Sequence, residues 1–154
     1  MYDVIIHECT RNDLDTICRM EKDWVEENIT YGQVEISREI FVKYLGRYFL
    51  VAEVETEVVG YIWGAVEISQ GPQTSEDSAV VPAGEPYLAI NGIYVMPGYR
   101  DRGIGSRMLD SLQQAARNNG VRQFLTGTDN KDLDRTLRFY RGHGFEIWKV
   151  QLFK

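Results

Sequence analysis

Two cysteines and two histidines are all that this 154-residue chain holds of the side chains that build disulfide frameworks and zinc sites. Cys9 and Cys18 cannot staple a fold, and so few imidazoles and thiols supply a structural metal poorly. Basic residues are also short: Lys and Arg number 17 against 23 for Asp and Glu, a formal charge of -6, whereas non-specific nucleic-acid binding needs a positive excess. Long apolar runs are missing. Phe49 to Ala52 is stopped by Glu53, and nothing approaches the roughly 20 residues that cross a bilayer. Met1-Tyr2-Asp3 lacks the basic and then apolar start of a signal peptide. These absences set an expectation of a cytoplasmic, metal-free protein with no nucleic-acid or membrane partner. What is present, 44% hydrophobic and 26% charged residues, fits one compact domain over residues 1–154.

Periodicity predicts an α/β chain. Asp3 to Glu8 reads as a strand, and Thr10 with Asp13 three residues on is close to a capping box for a helix over 11–27, whose apolar positions include Leu14, Ile17, Cys18, Met20 and Trp24. Ser37 caps a second helix that Gly46 stops. Phe49 to Val54 and Val58 to Ile68 are β-rich stretches joined by Glu55-Thr56-Glu57, a hairpin signal. Ser69 to Pro86, with three prolines and two glycines, is a loop too long for a plain connection, and it reads as a substrate wall or flap. Tyr87 to Val95 is a strand in which Gly92 signals a bulge or a close backbone approach. A helix over 103–119, a strand over 123–128, a helix over 132–141 and a closing strand from Phe145 to Phe153 complete the reading. Strand, helix, strand from 87 to 128 implies a parallel pair, and the hairpin implies antiparallel pairing, so the central sheet is mixed.

The informative stretch is Ile93-Tyr94-Val95-Met96-Pro97-Gly98-Tyr99-Arg100-Asp101-Arg102-Gly103-Ile104-Gly105-Ser106. A strand ends here in a glycine turn that opens into a helix, where the first backbone N–H groups lack intrahelical partners and carry the positive end of the dipole. Glycines at 103 and 105 let an anion approach, and Arg100 and Arg102 add charge, which makes a pyrophosphate cradle. The same glycines also serve close helix–sheet packing. A dinucleotide fingerprint is excluded because Met108 stands where a third glycine belongs, and a P-loop because no Gly-Lys-Ser/Thr follows.

These residues resemble the signature of the GNAT superfamily, the N-acetyltransferases that use acetyl-CoA: Arg100, Gly103 and Gly105 stand where the family has Arg or Gln, Gly, and Gly or Ala. A second block, Leu137-Arg138-Phe139-Tyr140-Arg141-Gly142-His143-Gly144-Phe145, is similar to the family's late helix. The resemblance implies a GNAT-like fold, a mixed, mostly antiparallel sheet flanked by helices, with a splayed parallel strand pair forming an acyl-CoA groove. It implies that the backbone of Ile93, Tyr94 and Val95 pairs with the pantetheine arm, and that Arg100, Asp101, Arg102, Gly103, Ile104, Gly105 and Ser106 hold the pyrophosphate. Tyr140 then stands near the sulfur and protonates the leaving thiolate. Where the family often has an asparagine seven residues earlier, this chain has Leu133, and Asn130 is the nearest amide for that cofactor contact. The chain also ends nine residues after Phe145, so a simplified final sheet is expected, and a homodimer is left open.

An amine nucleophile must lose a proton before attacking a thioester, yet Ala89-Ile90-Asn91 carries no acid. Asn91 is the candidate to hold a water there, with Glu26, Glu27, Glu53, Glu67 and Glu85 as more distant carboxylates. His7 and His143 are poorly placed substitutes. Cys9 and Cys18 precede the cofactor elements and read as apolar residues. The acceptor is expected between the first two helices, with Glu26, Glu27 and Tyr31 as substrate contacts and Glu76, Asp77 and Glu85 in the long loop; such acidic walls favour a cationic amine. The expected activity is acetyl transfer from acetyl-CoA to a primary amine, small or peptidic, in a ternary complex. The alternatives are a non-catalytic acyl-CoA-binding module and a transferase of a larger acyl group or onto a protein amine.

Overall fold

A computed structural model describes residues 3–70 and 80–154. Its sheet has five strands in the order β1-β2-β3-β4-β5: β1 is Val4–Glu8, β2 Phe49–Val54, β3 Glu57–Ile68, β4 Pro86–Val95 and β5 Gln123–Thr126. The first four run antiparallel and β5 pairs parallel to β4, with the helix α3 (Ile104–Arg117) as the crossover that a parallel pair requires. Helices α1 (Leu14–Glu27) and α2 (Arg38–Tyr44) precede β2, and α4 (Leu133–Gly142) follows β5.

Alternation along the strands sorts the core into two layers. On one face Leu50, Ala52 and Ile62 meet Met108, Leu109 and Leu112 of α3. On the other, Phe49, Val51, Tyr61 and Trp63 meet Leu14, Ile17 and Met20 of α1 and Phe41 of α2. A period of two in the sheet thus faces a 3.6-residue period in the helices on both sides. β2 is consequently apolar almost throughout, a pattern that belongs to a strand covered on both faces.

The hairpin turn consists of Glu55 and Thr56, both at positive φ (49° and 71°), the twist that a two-residue connection demands. Thr10 and Asp13 close the start of the first helical segment, the Thr10 N–H donating to Asp13 Oδ2 over 2.8 Å; a 3-10 turn over Arg11–Asp13 leads into α1. The closing strand expected from Phe145 to Phe153 is not formed. Residues 143–154 have no regular secondary structure, and Leu152 and Phe153 are 91% and 84% exposed. A strand persists where a neighbour takes its backbone hydrogen bonds, and β5 extends its ladder to β4 alone. Among the described residues no helix is long and apolar enough to cross a membrane.

Candidate active site

The β4–β5 ladder runs from Tyr87↔Gln123 to Ile90↔Thr126 and stops, while β4 continues to Val95. The two strands therefore splay, and Asn91 to Val95 present backbone toward β5 with no strand there. A bulge marks the divergence. Trp63 on β3 faces Gly92 but Gly64 faces Ile90, so Asn91 is the additional residue, one position before the glycine that signalled it. Gly92 is required by a neighbour: a Cβ there would lie 2.8 Å from Trp63 Nε1.

The splay opens a cleft of about 750 Å³ that runs from Asn91 along Ile93 and Val95 to Gly103 and Ser106 and is bordered by Tyr140. At its far end the chain turns through Asp101 (φ 61°) and Gly103 (φ 78°) into α3, whose Arg107 N–H bonds the Gly103 carbonyl at 3.0 Å. The three N–H groups before Arg107 stand at the helix N-terminus. Apart from its chain neighbours, no atom of the described residues lies within 4 Å of where a Gly103 Cβ would sit, so the turn faces open space. Ser106 Oγ lies 3.1 Å from His143 Nε2, and His143 Nδ1 lies 3.0 Å from Asp110 Oδ1, a chain of three groups that fixes the hydroxyl at the cleft wall. This geometry suits a diphosphate: fixed backbone dipoles, an oriented hydroxyl and free volume.

Tyr140 borders the cleft from α4 and is only 9% exposed. Burial raises its phenol above the ordinary tyrosine range, partly offset by the Thr126 hydroxyl, so it stays a proton donor at neutral pH. Phe139 and Phe145 pack edge-on against it.

A second hollow, about 220 Å³, adjoins the cleft at Asn91 and Gly92 and is walled by Glu21, Trp24, Tyr31, Trp63 and Ile36. The loop that follows α1 is tied across its edge to the loop that follows β5: the Tyr31 N–H donates to the Asp129 carbonyl and the Lys131 N–H to the Ile29 carbonyl, each over 2.9 Å. Thr30 and Asn130 form the bridge between these two bonds. Cleft and hollow thus meet at the bulge.

Known proteins bear on this arrangement. The profile described as "Acetyltransferase (GNAT) family" matches residues 14–145. The chain belongs to the GNAT family of acetyltransferases. It is 30% identical over 129 residues to the mouse (Mus musculus) "Thialysine N-epsilon-acetyltransferase", covering 77% of this chain and 71% of that one. It is 31% identical over 118 residues to an "N-alpha-acetyltransferase" of Sulfurisphaera tokodaii, covering 71% and 60% respectively. Its fold matches the aminoglycoside N-acetyltransferase AAC(6')-Iy in complex with CoA, with a TM-score of 0.71 at 16% identity over 100% of this chain and 95% of that one. The chain is accordingly an acyltransferase with the GNAT fold.

Within this GNAT frame the expected site residues fall into different places. Asn91, Ile93, Tyr94, Val95, Arg100, Asp101, Gly103, Ile104, Gly105, Ser106, Asn130 and Tyr140 all border the cleft. Arg102 does not; its guanidinium stands 5.9 Å from the Tyr99 ring. Asp101 pairs with Arg135 at 2.8 Å. Asn130 spends its Oδ1 on the Asp132 N–H at 2.8 Å, a local turn that leads into α4. Tyr31 walls the second hollow.

Three of the expected charged residues are placed differently. Glu27, placed on the acceptor side from sequence, is clasped by both terminal nitrogens of Arg100 at 2.7 and 2.9 Å and accepts from the Tyr94 hydroxyl. Arg100 in turn gives its Nε–H to the Val95 carbonyl at 2.7 Å. Its charge is therefore balanced within the protein, and it is not the free cation expected at a diphosphate. Burial alone would raise the Glu27 carboxyl, but the bonds from Arg100 and Tyr94 and the Arg100 charge outweigh it and hold the group below the usual carboxylate range. Glu26, the other acid expected at the acceptor, is exposed and lines neither the cleft nor the hollow. Glu76 and Asp77 of the proposed flap lie outside the described residues. Cys9 is buried, which pushes its thiol up to about 12, so it is no nucleophile. Among the described residues no three His, Cys, Asp or Glu side chains gather as a metal site would need.

Sequence reasoning missed Glu21 and Trp63. Glu21 is 1% exposed, accepting from the Tyr61 hydroxyl and from the Ile36 N–H at 2.8 Å. Its signal was available: positions 14, 17, 21 and 24 trace one helical stripe, and Glu21 is a carboxylate inside it. Trp63 read only as a β-former.

Proposed function

We propose that the chain transfers an acetyl group from acetyl-CoA to a primary amine by direct attack in a ternary complex. The observation that carries this reading is the meeting of two spaces at one bulge: a long cleft whose far-end turn suits a diphosphate, and a small aromatic hollow that shares Asn91 and Gly92 with it. Acetyl-CoA, when bound, supplies an acyl thioester.

The residues then have separable tasks. Backbone of Ile93, Tyr94 and Val95 takes the cofactor arm as a neighbouring strand would, and the turn from Arg100 to Ser106 holds the diphosphate through N–H groups, with Asn130 at the cleft edge. Tyr140 donates a proton to the departing thiolate. A thiol titrates near 8.5 and a phenol near 10, so this transfer needs the thiolate to be more basic in place than in water, which a buried setting favours. Backbone N–H groups at Gly92 or Ile93 offer donors to charge building on the acyl oxygen. Asn91, exposed at the bulge, positions a water that relays the amine's proton to solvent. Tyr31 contacts the acceptor.

The test is calorimetry with acetyl-CoA followed by thiol release with a panel of amines. Binding together with amine-dependent release supports the proposal; folded protein that does not bind acetyl-CoA refutes it. The absence of an acid in Ala89-Ile90-Asn91 favours one rival, a module that binds acyl-CoA without turnover, and binding without thiol release over the whole panel would establish that instead.

A further inference from the structure

Trp63 is 7% exposed. Tyr44, Phe41 and Phe49 pack around its indole, with ring centroids at 4.9, 5.5 and 6.3 Å. Its Nε1 lies against Gly92, 2.8 Å from where a Cβ would stand. Trp63 walls the small hollow, and Gly92 borders both the hollow and the cleft. The indole N–H has no hydrogen-bond acceptor among the described residues, whereas the indole of Trp24, the other tryptophan of this wall, donates to Thr30 Oγ1 at 2.9 Å. Among the described residues no fully buried side-chain nitrogen or oxygen lacks a partner, so this N–H keeps access to solvent although its residue is nearly buried, and a bound ligand can take the place of water on it. A packed indole whose donor has no protein acceptor, at the wall of the hollow, is placed to read a ligand there.

The surroundings state what it can read. Glu21 shares the wall, and its two oxygens accept from Tyr61 and Ile36. Asp129 also borders the hollow. A carboxylate entering beside these acids is disfavoured by their negative charge. A cationic or neutral amine faces the rings of Trp24, Tyr31 and Trp63, whose negative faces favour an alkylammonium. The volume, about 220 Å³, is that of roughly seven waters at about 30 Å³ each.

We propose that Trp63 is a specificity-determining residue, and that the hollow takes a small primary amine carrying an uncharged hydrogen-bond acceptor, a carbonyl or hydroxyl oxygen, which the indole N–H binds, while amines carrying a carboxylate are disfavoured. This rests on the reading of the chain as an amine acetyltransferase.

Three amines of similar size separate the cases: N-acetylethylenediamine (amide carbonyl), n-hexylamine (no acceptor) and 5-aminopentanoate (carboxylate). In the parent protein the amide is expected to exceed the carboxylate in kcat/KM by tenfold or more. Trp63→Phe keeps a ring and removes the N–H; the ratio of kcat/KM for the amide over hexylamine is expected to fall by about five- to tenfold, the order of one hydrogen bond. Equal losses for both amines, or no loss, overturn the proposal, as does a carboxylate turned over as well as the amide. A second measurement needs no Trp63 variant. Of the three indole N–H resonances from Trp24, Trp63 and Trp148, assigned with Trp24→Phe and Trp148→Phe, that of Trp63 is expected to shift on titration with the amide in the presence of CoA and to stay within the spread of the others with hexylamine. An unmoved Trp63 resonance in protein that acetylates the amide overturns the inference and leaves the activity standing. Failure to acetylate any amine refutes the activity itself, while a shifted resonance would still report the recognition.

Discussion

Replacing Glu27 by glutamine tests whether Arg100 is a structural clamp. The side chains of the pair are 23% and 20% exposed, the guanidinium binds with two N–H groups, and the Tyr94 hydroxyl adds a third bond to the carboxylate. Exposed ion pairs contribute about 0–1 kcal/mol, while removing one partner of a fully buried pair costs about 3–5 kcal/mol. Glutamine keeps the shape and one oxygen. Glu27→Gln is therefore expected to lose about 2 kcal/mol at pH 7, between these limits, read as a lower urea midpoint with an unchanged slope and a Tm lower by about 4–8 °C for a chain of this size. The pH dependence follows from the direction of the shift. A carboxyl held below its ordinary value contributes stability that is fully present above the unfolded-state value, about 4.3, and is lost as pH falls through the folded-state value. The gap between parent and variant should be constant from pH 7 to about pH 5 and close below that. Equal stability within about 0.5 kcal/mol at pH 7, or a gap that persists under acid, refutes the clamp.

Other outcomes are equally definite. Gly103→Ala meets no atom within 4 Å but must hold φ at 78°, so it should cost about 1–2 kcal/mol by conformation alone and, by filling the cradle, weaken acetyl-CoA at least about tenfold in calorimetry; unchanged affinity would remove the cradle from this turn. Tyr140→Phe should lower kcat by about a hundredfold, as the loss of a general acid does, with acetyl-CoA still bound; full turnover would remove the assigned acid. Glu21→Leu strands the Ile36 N–H and the Tyr61 hydroxyl in the core and should cost about 2–4 kcal/mol in urea unfolding. Glu21→Gln keeps one acceptor oxygen for the Ile36 N–H and can donate its amide N–H to the Tyr61 oxygen. Burial holds the Glu21 carboxyl above its ordinary value even though Tyr61 and Ile36 pull it down, so its contribution to stability is fully present below the unfolded-state value and lost as pH rises through the folded one. Glu21→Gln should therefore gain on the parent as pH rises above the unfolded-state value, about 4.3, and a gap independent of pH would contradict the assignment.

Local chemistry was legible in the chain where one segment decides the outcome. Glu55-Thr56, the Thr10–Asp13 cap, the helix opening at Gly103 and the glycine of β4 each act within a few residues, and the order of elements followed from them. Contacts between distant segments were not legible. Arg100 and Glu27 are 73 residues apart, and both carry charges that sequence reading assigns to ligands. Ser106, His143 and Asp110 form their chain across 33 and 37 residues, so His143 looked idle in its turn. The residues after Phe145 have the alternation of a strand, but alternation reports which face is apolar and says nothing of whether a neighbouring edge accepts the ladder. Gly92 announced an unusual strand; that its cause is the Trp63 indole required the fold.

The splay has a consequence for how β4 resists opening. From Tyr87 to Ile90 the strand is laddered on both sides, to β3 and to β5, whereas Gly92 to Val95 is laddered to β3 alone. One strand is thereby divided at Asn91 into a half locked from two directions and a half held from one, and amide hydrogens of the second half that face the cleft have only solvent to bond in the free protein. Their exchange with deuterium should be fast beside that of Leu88 and Ile90, and a ligand arm lying along the cleft would slow it. The place where the sheet is least protected is thus where occupancy would most change its local stability.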